Sequence, residues 1–258
     1  MHSTPVIGRI ESRLQLNHMF VPVLFYHKIS KPWPDARVRG GFTPPRRFFK
    51  QMSYLKNEGF VFYTASELIE FFQQRGEFPP GGIALTFDDG WKDNYTNAFP
   101  VLRQLEIKAT IFIIPSSIGQ VFSGATAAGE KPHAHLSQNE IREMAQHGVE
   151  FGSHTMNHRL LNKLSEPEVK SEIEDAKREI ENLLQKPCLT FAYPAGFFSE
   201  VARRAVEQAG HIAAFTTTYG PTDKIDLFAL NRTEVLRRDR FLFQFSRKLA
   251  PMRSALQE

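Results

Sequence analysis

The chain has 258 residues, 41% of them hydrophobic and 23% charged, with a net charge of +4. That is enough apolar material for a sizeable packed core and excludes a disordered or fibrous chain. The cationic residues are scattered, with no basic stripe or recognised binding motif, which argues against a nucleic-acid partner; the single cysteine, Cys188, excludes an internal disulfide framework and sits in an apolar run as a buried filler.

Residues 1–20 contain Arg9, Glu11 and Arg13 and no continuous apolar stretch, so they read as an N-terminal extension rather than a secretory leader. No segment approaches the length of a membrane span. The cytoplasm is therefore the default compartment, with an extracellular or envelope location open if a leader has been removed. From residue 21 onward, apolar runs and helical patterns alternate. Strands are predicted at 21–26, 60–63, 83–87, 110–114, 149–153, 189–193, 212–217 and 228–235. Helices are predicted between and after them, at 45–57, 65–75, 94–105, 138–146, 166–184, 200–209 and 241–249. The clearest helix opens Ser165-Glu166-Pro167-Glu168, a capping box with proline in the first turn. Its apolar positions Val169, Ile173, Ala176, Ile180 and Leu183 recur at helical spacing. Gly210 follows the next helix where a C-terminal cap belongs. Such alternation predicts an α/β fold with a parallel sheet. At this length, with no composition break, residues 21–258 fit one closed barrel best. The segment 116–135 is the longest irregular stretch and is expected to be a surface loop.

Two short motifs carry the chemistry. Thr86-Phe87-Asp88-Asp89-Gly90 places adjacent carboxylates at a strand end, and His154-Thr155-Met156-Asn157-His158 places two imidazoles four residues apart. Two imidazoles and a carboxylate are a common facial set for a divalent metal, and the spare carboxylate is then free to act as a base. Taken singly, Asp-Asp-Gly also suits a plain turn, and lone histidines are usually structural. Together with Tyr193-Pro194, both motifs fall at the C-terminal ends of predicted strands, which converge on one rim in a barrel.

The stretches 83–90 with Asp93-Asn94-Tyr95, and 152–158, resemble the first two motifs of the polysaccharide deacetylases, the NodB-homology domains of the family 4 carbohydrate esterases. The opening 21–27 and the later 191–196 extend the resemblance to about residues 21–235, and Tyr26-His27 is most similar to the poly-N-acetylglucosamine deacetylase subgroup. The resemblance implies a distorted (β/α) barrel of seven or eight mostly parallel strands and a catalytic domain over 21–258. It implies one divalent ion, most often zinc, with cobalt or nickel as alternatives, held by Asp89, His154 and His158. Asp88 would be the general base, and the Ala195 backbone N–H would stabilise the oxyanion. The chain departs from the family pattern in three places. Ala192 replaces an arginine that orients the base, and Ala195 replaces a tyrosine. The last motif reads Leu230-Asn231-Arg232-Thr233-Glu234, without the histidine that protonates the leaving amine. His27 is then a candidate acid, with His133, His135 and His211 weaker ones. Arg232 is a candidate for orienting Asp88 or contacting substrate. Tyr193 and Trp91 are candidate substrate contacts, the indole also being plausible as packing. Asp93 is expected to cap the following helix. Trp33 reads as a loop anchor. The expected activity is removal of acetyl groups from N-acetylated sugars or polysaccharide. An O-acetyl esterase, a non-sugar amidase and a silent metal- or glycan-binding domain are the alternatives.

Overall fold

The computed structural model describes residues 19–32, 41–122, 133–236, 238–239 and 241–253. Most of the N-terminal extension, Trp33 and the middle of the 116–135 loop lie outside them. In chain order the elements are β1 (Val23–Tyr26), α1 (Pro45–Asn57), β2 (Val61–Tyr63), α2 (Ala65–Arg75), β3 (Gly82–Phe87), α3 (Phe99–Gln104), β4 (Ala109–Ile113), β5 (Val121–Phe122), β6 (His133–Ala134), α4 (Gln138–Gln146), β7 (Val149–Ser153), α5 (Glu166–Leu184), β8 (Thr190–Ala192), α6 (Glu200–Gln208), β9 (Ala213–Phe215), β10 (Thr233–Glu234), α7 (Leu242–Lys248) and α8 (Ala250–Arg253).

Eight strands form one parallel sheet in the order β10-β1-β3-β4-β7-β8-β9, with β2 beside the first half of β3. The sheet curls into a distorted barrel, as expected from the alternation. One segment joins its two ends: Leu230 bridges to Phe215 of β9, and Thr233 pairs with Leu24 of β1. The predicted strand 228–235 is therefore broken. Its backbone changes partner between the two ends, and the Arg232 N–H goes sideways to the Thr218 carbonyl. Inside the predicted loop 116–135, β5 and β6 form an antiparallel pair.

Local signals set most helix limits. Thr64 with Glu67, Ser137 with Glu140 and Ser165 with Glu168 form capping boxes at the starts of α2, α4 and α5. The predicted helix 94–105 is the exception. It begins as a wide π turn, Asn94–Ala98, in which the Phe99 N–H reaches back to the Asn94 carbonyl. Pro100 has no N–H with which to continue an α ladder from that turn, so the regular helix starts late.

Strand periodicity sorts side chains between the barrel's two faces. Leu24, Tyr26, Leu85, Phe87, Ile111 and Phe151 point outward into one core cluster with Phe48, Met52 and Met144 of the helices. Phe191 and Tyr193 point outward against Val169 and Ile173 of α5 and Val206 of α6. The alternate positions, Val23, Ala84, Phe112, Ala192 and Phe215, fill the interior. Glu150 also faces inward, where it accepts hydrogen bonds from Thr110 Oγ1 (3.0 Å), Thr190 Oγ1 (2.9 Å) and the Ser66 N–H (3.0 Å) that opens α2. By the same period-2 logic Thr86 faces inward beside Thr110, and Asp88 and His154 turn toward the interior just beyond the C-terminal ends of β3 and β7.

Candidate active site

Asp88 and Asp89 follow β3 and point different ways because the chain reverses sharply there. Asp89 has φ 74° and Gly90 has φ 66°. A Cβ on Gly90 would lie 2.9 Å from Ile113 Cγ2, so both conformation and space favour glycine. Asp89, Thr155, His158 and Ala195 are all non-glycine residues with positive φ (74°, 66°, 57° and 54°). Strain of this kind concentrates where side chains must be aimed.

Asp88 turns into the barrel and is 2% exposed. Both its oxygens accept from Arg232: Oδ1 from Nη1 at 2.8 Å and Oδ2 from Nη2 at 2.7 Å. The guanidinium is itself anchored, with Nε donating to the Thr216 carbonyl at 2.8 Å and its carbon 4.2 Å from the Phe25 ring centroid. Burial pushes the Asp88 carboxyl up, but the charge and hydrogen bonds of Arg232 outweigh it and hold the pKa below the usual carboxylate value. Of the two roles expected for Arg232, orienting Asp88 fits this geometry. The three guanidinium nitrogens are engaged with Thr216, Thr86 and Asp88, an arrangement that does not support the substrate contact.

Asp89 turns outward to the two histidines. Its Oδ1 lies 3.5 Å from His154 Nε2 and 3.4 Å from His158 Nε2, and one donor atom from each residue lies within 4.8 Å of the others. Donors about 2.0–2.1 Å from one ion at tetrahedral angles stand roughly 3.4 Å apart, so the spacing and donor set fit a divalent metal. His154 is aimed by its other nitrogen, which hydrogen-bonds the Ala192 carbonyl at 2.7 Å and leaves Nε2 facing Asp89. Burial raises the Asp89 pKa, but the hydrogen bond to His154 and the neighbouring imidazole charges outweigh it.

Three supports were not legible as such. Trp91 is only 8% exposed and donates its indole N–H to Asp89 Oδ2 at 2.8 Å. His135 stacks on that indole at 4.2 Å, and Lys28 Nζ lies 3.8 Å from its centroid. Trp91 therefore braces Asp89 and offers no open face to a sugar, contrary to the substrate-contact expectation. Glu172 of α5 accepts from the Asn157 N–H (2.8 Å) and Nδ2 (2.9 Å), fixing the loop between the two histidines. Asp93 does not cap the following turn. It accepts from the Ile29 N–H (3.1 Å) and Ser30 Oγ (2.7 Å), while Asn94 Nδ2 donates to the His27 carbonyl at 2.8 Å. These bonds hold the end of β1, where His27 is half-buried and near both Asp88 and Asp89.

Other candidates fall elsewhere. Tyr193 faces away from the interior, stacks on Phe198 at 4.6 Å and donates its hydroxyl to the Phe228 carbonyl at 3.0 Å, so it is packing and not a substrate contact. Ala195 lies on the rim in the turn Pro194–Gly196. A Cβ on Gly196, at φ 75°, would lie 2.2 Å from Thr217 Oγ1, which locks this turn to the next loop. His211 is buried against Phe191 on the outer face, where burial drives its pKa down to about 3. His133 is edge-on to Trp91 at 5.5 Å, and burial lowers the pKa of His135. Both pack on the indole. Cys188 is buried and its thiol is pushed up to about 12 by burial, as befits a filler.

The chain is similar to known proteins in sequence and in fold. Residues 75–214 match the family model for polysaccharide deacetylases. The polysaccharide deacetylase-like protein YxkH of Bacillus subtilis is 33% identical over 216 residues, covering 83% of this chain and 71% of YxkH. A poly-β-1,6-N-acetyl-D-glucosamine N-deacetylase of Staphylococcus aureus is 29% identical over 175 residues, covering 64% of this chain and 57% of that protein. Among solved structures, the Streptococcus pyogenes deacetylase PplD in complex with acetate superposes with a TM-score of 0.73 at 28% identity, covering 85% of this chain and 93% of that one.

Proposed function

Because the chain belongs to the polysaccharide deacetylase family, we propose that it removes acetyl groups from an N-acetylated glycan at the rim formed by Asp88, Asp89, His154 and His158. The observation that supports this most is the division of labour between the paired carboxylates. Asp89 meets two imidazoles, while Asp88 is withheld from them by Arg232. The staphylococcal relative makes a β-1,6-linked N-acetylglucosamine polymer the first substrate to test.

Asp89, His154 and His158 would hold one divalent ion, for which zinc suits the nitrogen and oxygen donors. Bound there, the ion supplies a Lewis acid that polarises the acetyl carbonyl and makes a water easier to deprotonate. Asp88, ionised and fixed by Arg232, takes the proton from the attacking water. The Ala195 N–H stabilises the developing oxyanion. His27 gives a proton to the departing amine. Asp89 keeps its orientation through Trp91, and His154 through the Ala192 carbonyl.

The direct test is acetate release from a panel of N- and O-acetylated glycans, with metal-free protein as control. Release from N-acetylated oligomers that depends on metal is expected. Metal-loaded protein with no turnover on any acetylated substrate would instead mark a silent binding domain. An O-acetyl ester is the second reading. It is favoured by Arg232 standing in the last motif, where the family pattern has a histidine, because an ester's alkoxide leaves with less need of a proton.

Two variants probe the supports. Trp91→Phe keeps the stack on His135 but loses the bond to Asp89, and the affinity for metal is expected to fall about 10–100-fold in a chelator competition. Unchanged affinity would remove the indole from the site. His27→Gln is expected to lose amide cleavage more than cleavage of an activated ester, with metal content and melting temperature kept. Equal losses on both substrates would make His27 a positioning group.

A further inference from the structure

Three consecutive large apolar residues stand in solvent where α7 begins. Phe241 is 48% exposed, Leu242 41% and Phe243 57%. The core does not require them. Phe245 is the buried aromatic of this helix and packs edge-on to Tyr54 of α1 at 6.3 Å. The Phe241 and Phe243 rings stack on each other at 5.7 Å with 13° between planes, which makes one continuous apolar surface. Isolated exposed apolar residues need no explanation, but a contiguous patch marks a contact surface.

The charges around the patch narrow its partner. The cations, scattered over the rest of the chain, are concentrated here: by sequence, residues 237–248 contain Arg237, Arg238, Arg240, Arg247 and Lys248 against a single acid, Asp239. That acid is buried and engaged, accepting from Lys248 Nζ at 2.6 Å and from the Leu236 N–H at 2.8 Å. Lys248 thus offsets Asp239, and among the described residues Arg238 and Arg247 carry the remaining positive charge of the segment. Arg238 is exposed, and the Arg247 guanidinium lies 5.9 Å from the Phe243 ring centroid. The patch is also tied to the catalytic rim. Gln51 donates to the Asp239 carbonyl at 3.4 Å and accepts from the hydroxyl of Tyr26, the last residue of β1, at 3.1 Å.

We propose that this patch docks the protein on an anionic lipid bilayer, with Phe241, Leu242 and Phe243 in the headgroup boundary and Arg238 and Arg247 on lipid phosphates. Apolar side chains flanked by cations are what such an interface selects. A soluble polyanion would engage the arginines and leave the three apolar residues in water. A second copy of the chain would bring like charges together.

The test is sedimentation of the full chain with phosphatidylcholine vesicles, with the same vesicles containing phosphatidylglycerol, and, for comparison, binding to heparin. Binding to the anionic vesicles is expected to exceed binding to neutral ones by about tenfold or more and to weaken with salt. Replacing both exposed rings, Phe241→Ser with Phe243→Ser, is expected to cut vesicle binding by about tenfold or more while leaving the melting temperature unchanged. Arg238→Glu is expected to lower binding to anionic vesicles. Vesicle binding unaffected by the double serine variant would overturn the proposal. So would heparin binding without vesicle binding, or a dimer that the double variant abolishes without vesicle binding. None of these readouts depends on turnover, so the outcome stands apart from the proposed deacetylase activity.

Discussion

Asp88→Asn is expected to retain its metal and lose about 10²–10⁴-fold in turnover, the usual cost of removing a positioned base. The substitution keeps the shape of the side chain and removes the proton acceptor. It also leaves the Arg232 guanidinium buried beside a neutral amide whose NH2 cannot accept from it. A lower melting temperature is therefore expected too, and turnover has to be measured well below the transition. Metal content and acetate release on the same sample separate the two effects. Near wild-type turnover would show that Asp88 is not the base.

Arg232→Met tests the same pair from the other side and is expected to show the largest loss of stability. Removing one partner of a buried ion pair typically costs about 3–5 kcal/mol, because the other charge is stranded. The pH dependence follows from the sign of the shift. In the wild type, burial would raise the Asp88 pKa and Arg232 more than offsets it, so the folded value lies below the unfolded one. That stabilisation is present above about pH 4 and is lost as pH falls through the folded pKa. In Arg232→Met burial acts without its main opponent, so the folded pKa rises and the carboxylate destabilises the fold at neutral pH. The acid limb of the kcat/KM profile should move to higher pH, since the base must be ionised to work. Urea denaturation and a pH–rate profile check both parts. An unmoved acid limb would show that Arg232 does not set the state of Asp88. The double variant Asp88→Asn with Arg232→Met should be less destabilised than the sum of the two, because neither change then strands a charge.

What the sequence discloses follows the range of the interaction. α1, α2, α4 and α5 begin and end where predicted because capping boxes, proline in the first turn and helical spacing are encoded within a few residues. The gathering of Asp89, His154 and His158 is legible because each lies at the end of an alternating apolar run, and strand ends in a parallel barrel share one rim. The Arg232–Asp88 pair spans 144 residues, and only the curl of the sheet brings the two together. The brace from Glu172 to Asn157 depends on how α5 packs under the histidine loop. Trp91 is close to Asp89 in sequence, yet its role turns on side-chain direction, which residue type alone leaves open. Tyr193 could have been assigned outward by counting: it is one residue beyond inward-facing Ala192, and its polar tip finds a carbonyl outside the barrel.

The most direct test of the account is the metal content of purified protein, measured for the wild type, His154→Ala and His158→Ala after loading with zinc and removal of excess. About one equivalent per chain is expected for the wild type, the stoichiometry one such site implies, and near zero for each variant. Metal content unchanged in both variants would contradict the site on which the proposed chemistry rests.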